Sequence, residues 1–113
     1  MAKQYVEKLE HLIASQGIAP ETGAPLEIKH FFGGAALYAY GKICASWSPV
    51  GLAFKLTPGE VEKLIQSGRA QPLKYFDKGH IKKGYALFSE PEASKPKRWK
   101  TYFVKAIKEC AAR

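Results

Sequence analysis

The sequence predicts an α+β fold: a two-layer sandwich in which helices cover an antiparallel sheet, in the order α-β-β-β-(β)-α-β-β-α. Three observations lead there. Apolar residues recur at helical spacing near both ends of the chain and once in the middle. Between these stretches the apolar period changes to two. Tight-turn signals join consecutive extended runs, and strands joined in this way pair antiparallel. A chain of 113 residues with no repeat and no linker-like stretch reads as one domain, 1–113.

The first helix is expected over residues 3–16, where Tyr5, Val6, Leu9, Leu12 and Ile13 form one stripe and Gly17 supplies a stop. Residues 18–25, with Pro20, Gly23 and Pro25, read as a connecting loop. From Leu26 the pattern alternates, with Leu26, Ile28 and His30 against Glu27 and Lys29. Gly33-Gly34 breaks or bends the chain, and one of the pair is expected to need a positive φ or a close backbone approach. Residues 35–40 and 42–47 follow as strands joined at Tyr40-Gly41; Ile43, Ala45 and Trp47 are read on one face, with Cys44, Ser46 and Ser48 on the other.

Ser48-Pro49-Val50-Gly51 is a further turn, leading into a short strand at 52–56. Thr57-Pro58-Gly59-Glu60 then reads as a capping box with proline at the first helical position, and Val61, Leu64 and Ile65 as the buried stripe behind it. Gly68 ends that helix. Residues 71–76 and 83–88 read as a hairpin turning within 77–80, closed by Glu90-Pro91-Glu92. The final helix is expected over 96–111, with Trp99, Phe103, Ala106, Ile107 and Cys110 inward.

Composition bounds the function. No stretch approaches the ~20 apolar residues of a membrane span. The charged start of the chain lacks an apolar signal core, so a cytoplasmic protein is expected. In a reducing compartment Cys44 and Cys110 are expected as free, buried thiols, because a disulfide between them needs facing Cβ atoms and an oxidising environment. Residues 1–68 hold six Lys and six Glu, whereas residues 69–113 hold twelve Lys or Arg against four acids, so the whole excess of +8 lies in the last part. That asymmetry suits either solubility or an acidic partner such as nucleic acid.

Motifs for catalysis fail one by one. The spacing of His11, His30, His80 and the two cysteines matches no metal site. There is no Gly-x-Ser-x-Gly elbow. Gly34…Gly41-Lys42 has six residues between its glycines and Ile43 where a P-loop needs Ser or Thr. Lys83-Gly84-Tyr85-Ala86 begins like an RNA-recognition motif, but Glu90 stands at its last aromatic position and the element order differs. What remains is a basic surface, with Lys82, Lys83, Lys97, Arg98, Lys105 and Lys108 as candidate nucleic-acid contacts.

His30-Phe31-Phe32-Gly33-Gly34, then Ala36-Leu37-Tyr38 and Gly41, resembles the Met-Phe-Gly-Gly signature of the N-terminal domain of TfoX/Sxy-type bacterial competence regulators. Leu52-Ala53-Phe54-Lys55-Leu56 is similar to the next strand of that family. Pro72-Leu73-Lys74-Tyr75, Lys83-Gly84-Tyr85 and Glu90-Pro91-Glu92 are similar to its closing hairpin and exit. Phe31 stands where the family's methionine is usual, and the second, helical domain of the full-length regulators is not encoded here. The resemblance covers residues 5–111 and carries as signature Phe31, Phe32, Gly33, Gly34, Gly41, Gly84, Tyr85 and Pro91. It implies a stand-alone domain with a secretion-chaperone-like fold, commonly one that binds proteins or dimerises, and brings no catalytic residues, cofactor or metal. The expected function is therefore a non-enzymatic regulatory or adaptor role through a protein partner or self-association. The alternative is weak, sequence-nonspecific nucleic-acid binding through the basic C-terminal half.

Overall fold

The computed structural model describes residues 3–31, 33–74 and 81–112, without the side chains of Lys3 and Lys82. Among the described residues, helices α1 (Lys3–Ser15) and α2 (Ile18–Thr22) lead into β1 (Leu26–Phe31), β2 (Gly34–Ala39), β3 (Lys42–Ser48) and β4 (Gly51–Lys55). Helix α3 (Pro58–Gln66), β5 (Gln71–Leu73), β6 (Lys82–Phe88), a 3-10 turn (Pro91–Ala93) and α4 (Arg98–Ala112) complete the chain. The strands form one six-stranded sheet in the order β1-β2-β3-β4-β6-β5, with every pairing antiparallel. This is the α+β sandwich that the alternating periods imply.

The order of the last strands has a consequence. Strand β6 pairs with both β4 and β5, so β5 stands at the sheet edge although it comes first in the chain. The two edges of the sheet are thus β1 and β5.

Helices α1, α3 and α4 bury their apolar stripes in one core. Leu9, Leu12 and Ile13 of α1, Val61 of α3, and Trp99, Phe103, Ala106, Ile107 and Cys110 of α4 meet Leu37, Ala45, Trp47, Leu52, Phe54, Ala86 and Phe88 of the sheet. Around Phe54 the rings of Phe88, Trp99, Tyr102 and Phe103 all lie within 6.1 Å, centroid to centroid. Burying such rings is the largest apolar contribution that individual side chains make to a core of this size. Ala53, Leu73, Tyr85 and Leu87 form a second, smaller cluster, joined by Ile43 and Val50.

Two details correct the sequence reading. Residues 18–22, expected as loop, are the short helix α2, with Ile18 fully buried. Gly17 and Gly23 bracket it at φ 62° and 64°, and Pro20 is tolerated because the first N–H groups of a helix lack intrahelical acceptors anyway. On β3 the expected alternation also breaks. Leu37 pairs with Ala45 but Tyr38 pairs with Ile43, which leaves Cys44 as an extra, bulged residue. Cys44 therefore joins Ala45 in the main core, while Ile43 is turned to the second cluster. Both cysteines are buried thiols outside any disulfide; the Cys44 thiol donates to the Leu37 carbonyl at 3.4 Å and the Cys110 thiol to the Ile43 carbonyl at 3.4 Å.

The helix start at 57–60 forms as expected. Thr57 has extended geometry, its hydroxyl oxygen accepts from the Glu60 N–H at 3.4 Å, and Pro58 occupies the first turn. The Glu60 carboxylate accepts hydrogen bonds from the Thr57 hydroxyl at 3.4 Å and from the Lys105 ammonium at 2.8 Å, and the second ties α3 to α4.

Candidate functional site

The signature residues come first, because the sequence singles them out. Phe31 pairs with Gly34, so only positions 32 and 33 connect β1 to β2; Gly33 has φ 74°. Phe32 lies outside the described residues. At Gly34 the requirement is different: a Cβ there would collide with the Trp47 carbonyl oxygen and stand 2.7 Å from Ser48 Cα. The next turn pairs Tyr40 at φ 54° with Gly41 at φ 76°, the double positive φ of a type I′ hairpin. Gly84 has φ 85° within β6, and Tyr85 beside it is buried in the second cluster. Pro91 is buried at the start of the 3-10 turn, where its carbonyl accepts from the Trp99 indole N–H at 3.3 Å. These residues shape turns, let strands approach and anchor α4. Only Gly84 and Tyr85 among the described ones line a common groove, the one between α3 and β6.

The basic residues are spread over two regions. Lys97 precedes α4, and Arg98, Lys105 and Lys108 lie along it; with a rise of about 1.5 Å per residue, Arg98 and Lys108 are separated by about 15 Å. The Arg98 guanidinium stacks 4.7 Å from the centre of Trp99 and 5.1 Å from that of Phe88, and donates to the Ser94 hydroxyl at 2.7 Å. Lys105 pairs with Glu60 at 2.8 Å and Lys100 with Glu21 at 3.4 Å, so part of the helix's charge is balanced within the fold. Lys83 is elsewhere, on β6, against α3 beside Glu62 and Gln66. The backbone of Lys82 precedes it in β6.

The surface that the sequence reading missed is the groove holding Lys83. It encloses about 430 Å³ between α3 and β6 and is walled by Pro58, Val61, Ile65, Pro72, Ile81 and Tyr85. Ile81 is 57% exposed at its mouth. A single exposed aliphatic side chain is ordinary on a protein surface; here Ile81 is continuous with the apolar wall of the groove, and the two together make one apolar surface. The signal in the sequence was Ile81 itself, an isoleucine placed just past the expected turn at 77–80, where solvated residues are usual. Among the described residues no group of three His, Cys, Asp or Glu side chains is placed to hold a metal, with His11 on α1 and His30 on β1. His80 lies outside the described residues, and none of the described helices is long and apolar enough to cross a membrane.

No curated protein matches the chain. The family model described as the TfoX N-terminal domain matches residues 21–110, from the end of α2 into the last turn of α4 and so across the whole sheet. On that match the chain belongs to the TfoX N-terminal domain family.

Proposed function

We propose that the domain is a non-enzymatic regulatory or adaptor module, competence-regulator-like, that acts by protein–protein contact. The observation that carries this reading is the groove between α3 and β6, apolar in its walls, with Ile81 standing exposed at its mouth. Apolar side chains of a partner protein would enter it, and Lys83 and Glu62 at its rim would set register through charge. The signature residues are compatible with the same reading: Gly33, Gly34, Gly41 and Pro91 serve turns, a strand approach and an anchor, and Gly84 and Tyr85 line the groove itself.

The competing reading, nonspecific nucleic-acid binding through Lys82, Lys83, Lys97, Arg98, Lys105 and Lys108, is weakened by the spread of these residues over β6, α4 and the residue preceding α4, and by the internal pairing of Lys105 with Glu60. One experiment separates the two. The protein is used as bait in native-cell extract with and without nuclease, and each captured protein is purified and titrated against wild type and Ile81→Glu. A partner that survives nuclease and loses affinity with Ile81→Glu supports the adaptor reading. Capture that nuclease abolishes, or a partner indifferent to Ile81→Glu, overturns it.

A further inference from the structure

The two edges of the sheet are treated very differently. Edge strands expose a row of backbone donors and acceptors, and proteins blunt them with short length, proline or a bulge. Strand β5 has all three: it is three residues long, contains Pro72, and its register with β6 shifts between Pro72 and Leu73. Strand β1 has none of these three; of the devices that blunt an edge it carries only charge, at Glu27 and Lys29. It runs six residues, Leu26–Phe31, without proline, in unbroken register with β2, and its other side faces no strand of the described residues.

The sequence of β1 is also self-complementary. Glu27 and Lys29 flank Ile28 and are exposed, pairing with each other at 3.7 Å within the strand, with Lys29 over the Tyr38 ring, a contact that pairing with a second copy would exchange for interchain ones; Leu26 and Ile28 are half-buried against the core. A two-fold axis perpendicular to the sheet keeps each face on its own side, so only registers centred on a residue are allowed when β1 meets a second β1 antiparallel. Centring on Glu27 or Lys29 sets like charges directly opposite. Centring on Ile28 sets Glu27 of each copy against Lys29 of the other, twice, and Ile28 against Ile28 between them. Opposite charges directly across an antiparallel pair are stabilising and like charges are not.

The geometry points to a homodimer formed by antiparallel pairing of β1 with β1 of a second copy, centred on Ile28, which extends the six-stranded sheet to a continuous twelve-stranded one. The dimer deepens the adaptor reading and rests on that reading for its role alone. The groove lies at the opposite edge, beside β5 and β6, so each dimer presents two grooves at its far ends.

The test is sedimentation equilibrium on the full chain. Wild type dimerises reversibly. Glu27→Lys and Lys29→Glu alone each place two like-charge pairs at the interface and weaken the dimer by about tenfold or more. The double variant Glu27→Lys/Lys29→Glu restores opposite pairs and recovers the wild-type dimer constant. Ile28→Cys, treated with oxidised glutathione, gives an interchain disulfide, because residue 28 meets its own copy on the axis; Glu27→Cys, facing Lys29, does not. Far-UV circular dichroism confirms that every variant is folded. A monomer at all concentrations, a dimer indifferent to the single charge reversals, or a dimer lost in Ile81→Glu overturns the proposal. If dimerisation behaves as described while partner titrations fail, the adaptor reading falls and the dimer stands.

Discussion

Replacing Gly34 by alanine isolates the steric demand of the signature from its conformational one. The φ of Gly34 lies outside the left-handed region, so alanine suits the backbone there, and the whole cost is contact. The added Cβ would collide with the Trp47 carbonyl oxygen and lie 2.7 Å from both Ser48 Cα and Ser48 Cβ. Two of those three atoms are backbone of the paired strand β3, which no rotamer change can move aside. Overpacking of this kind costs about 1–3 kcal/mol, and immobile backbone puts Gly34→Ala at the upper end. Gly33 is the internal control: it has φ 74° and open space around its Cβ direction. Alanine there pays only the left-handed penalty, about 1–2 kcal/mol, and asparagine, which tolerates that region, pays less. Urea unfolding of wild type, Gly33→Ala, Gly33→Asn and Gly34→Ala should rank Gly34→Ala as most damaged and Gly33→Asn as nearest wild type. A domain near this size loses roughly 4–8 °C of Tm per kcal/mol, so the ranking is readable by calorimetry too. Gly34→Ala within about 0.5 kcal/mol of wild type, the range of ordinary surface changes, would refute the close-approach argument.

Four further outcomes are expected. Trp99→Ala should destabilise by about 3–5 kcal/mol, since Trp99 is 2% exposed among Phe54, Phe88 and Tyr102; in a Trp47→Phe background, Trp99 fluorescence should be blue-shifted and protected from quencher. Thr57→Ala removes the cap of α3 and should cost about 0.5–2 kcal/mol in denaturant unfolding, whereas Lys105→Ala breaks only an exposed pair and should cost under about 1 kcal/mol. Tyr40→Asn should raise stability by up to about 1 kcal/mol, because Tyr40 holds φ 54° at 47% exposure, and a loss instead would mean that its packing near Val104 and Ile107 outweighs turn strain. Cys44 and Cys110 should resist a thiol reagent in the native protein and react promptly in denaturant; prompt native labelling of either would contradict its burial.

Elements with strong local signals were legible in the sequence. Thr57-Pro58-Gly59-Glu60 announced α3 because capping and proline chemistry act over four residues. The α4 stripe from Trp99 to Cys110 is buried as its spacing implies. What failed to show was decided by partners distant in sequence. Whether residue 43 or 44 of β3 enters the core depends on the register with β2, and a one-residue bulge there exchanges the faces of Ile43 and Cys44. Helix α2 is too short to display a period, and Pro20 with two flanking glycines reads locally as a loop. The placement of β6 between β4 and β5 is likewise a pairing choice that no local residue records.

The same division bears on what family membership can convey. Gly33, Gly34, Gly41 and Pro91 secure turns, a strand contact and the anchor of Trp99, so they answer demands of the sandwich itself. The surfaces argued to meet other molecules are built otherwise. Strand β1 presents Glu27, Ile28 and Lys29, and the groove presents Pro72, Ile81 and Lys83, none of them in the signature; Phe31 at the end of β1 and Gly84 and Tyr85 in the groove belong to both. Turn geometry is intolerant of substitution, whereas an exposed Glu-x-Lys edge or an isoleucine at a groove mouth can change without loss of fold. Two members of this family can therefore share every turn and differ in partner, and a comparison of positions 27, 29, 81 and 83 will say more about what each one binds than will the glycines that identify it.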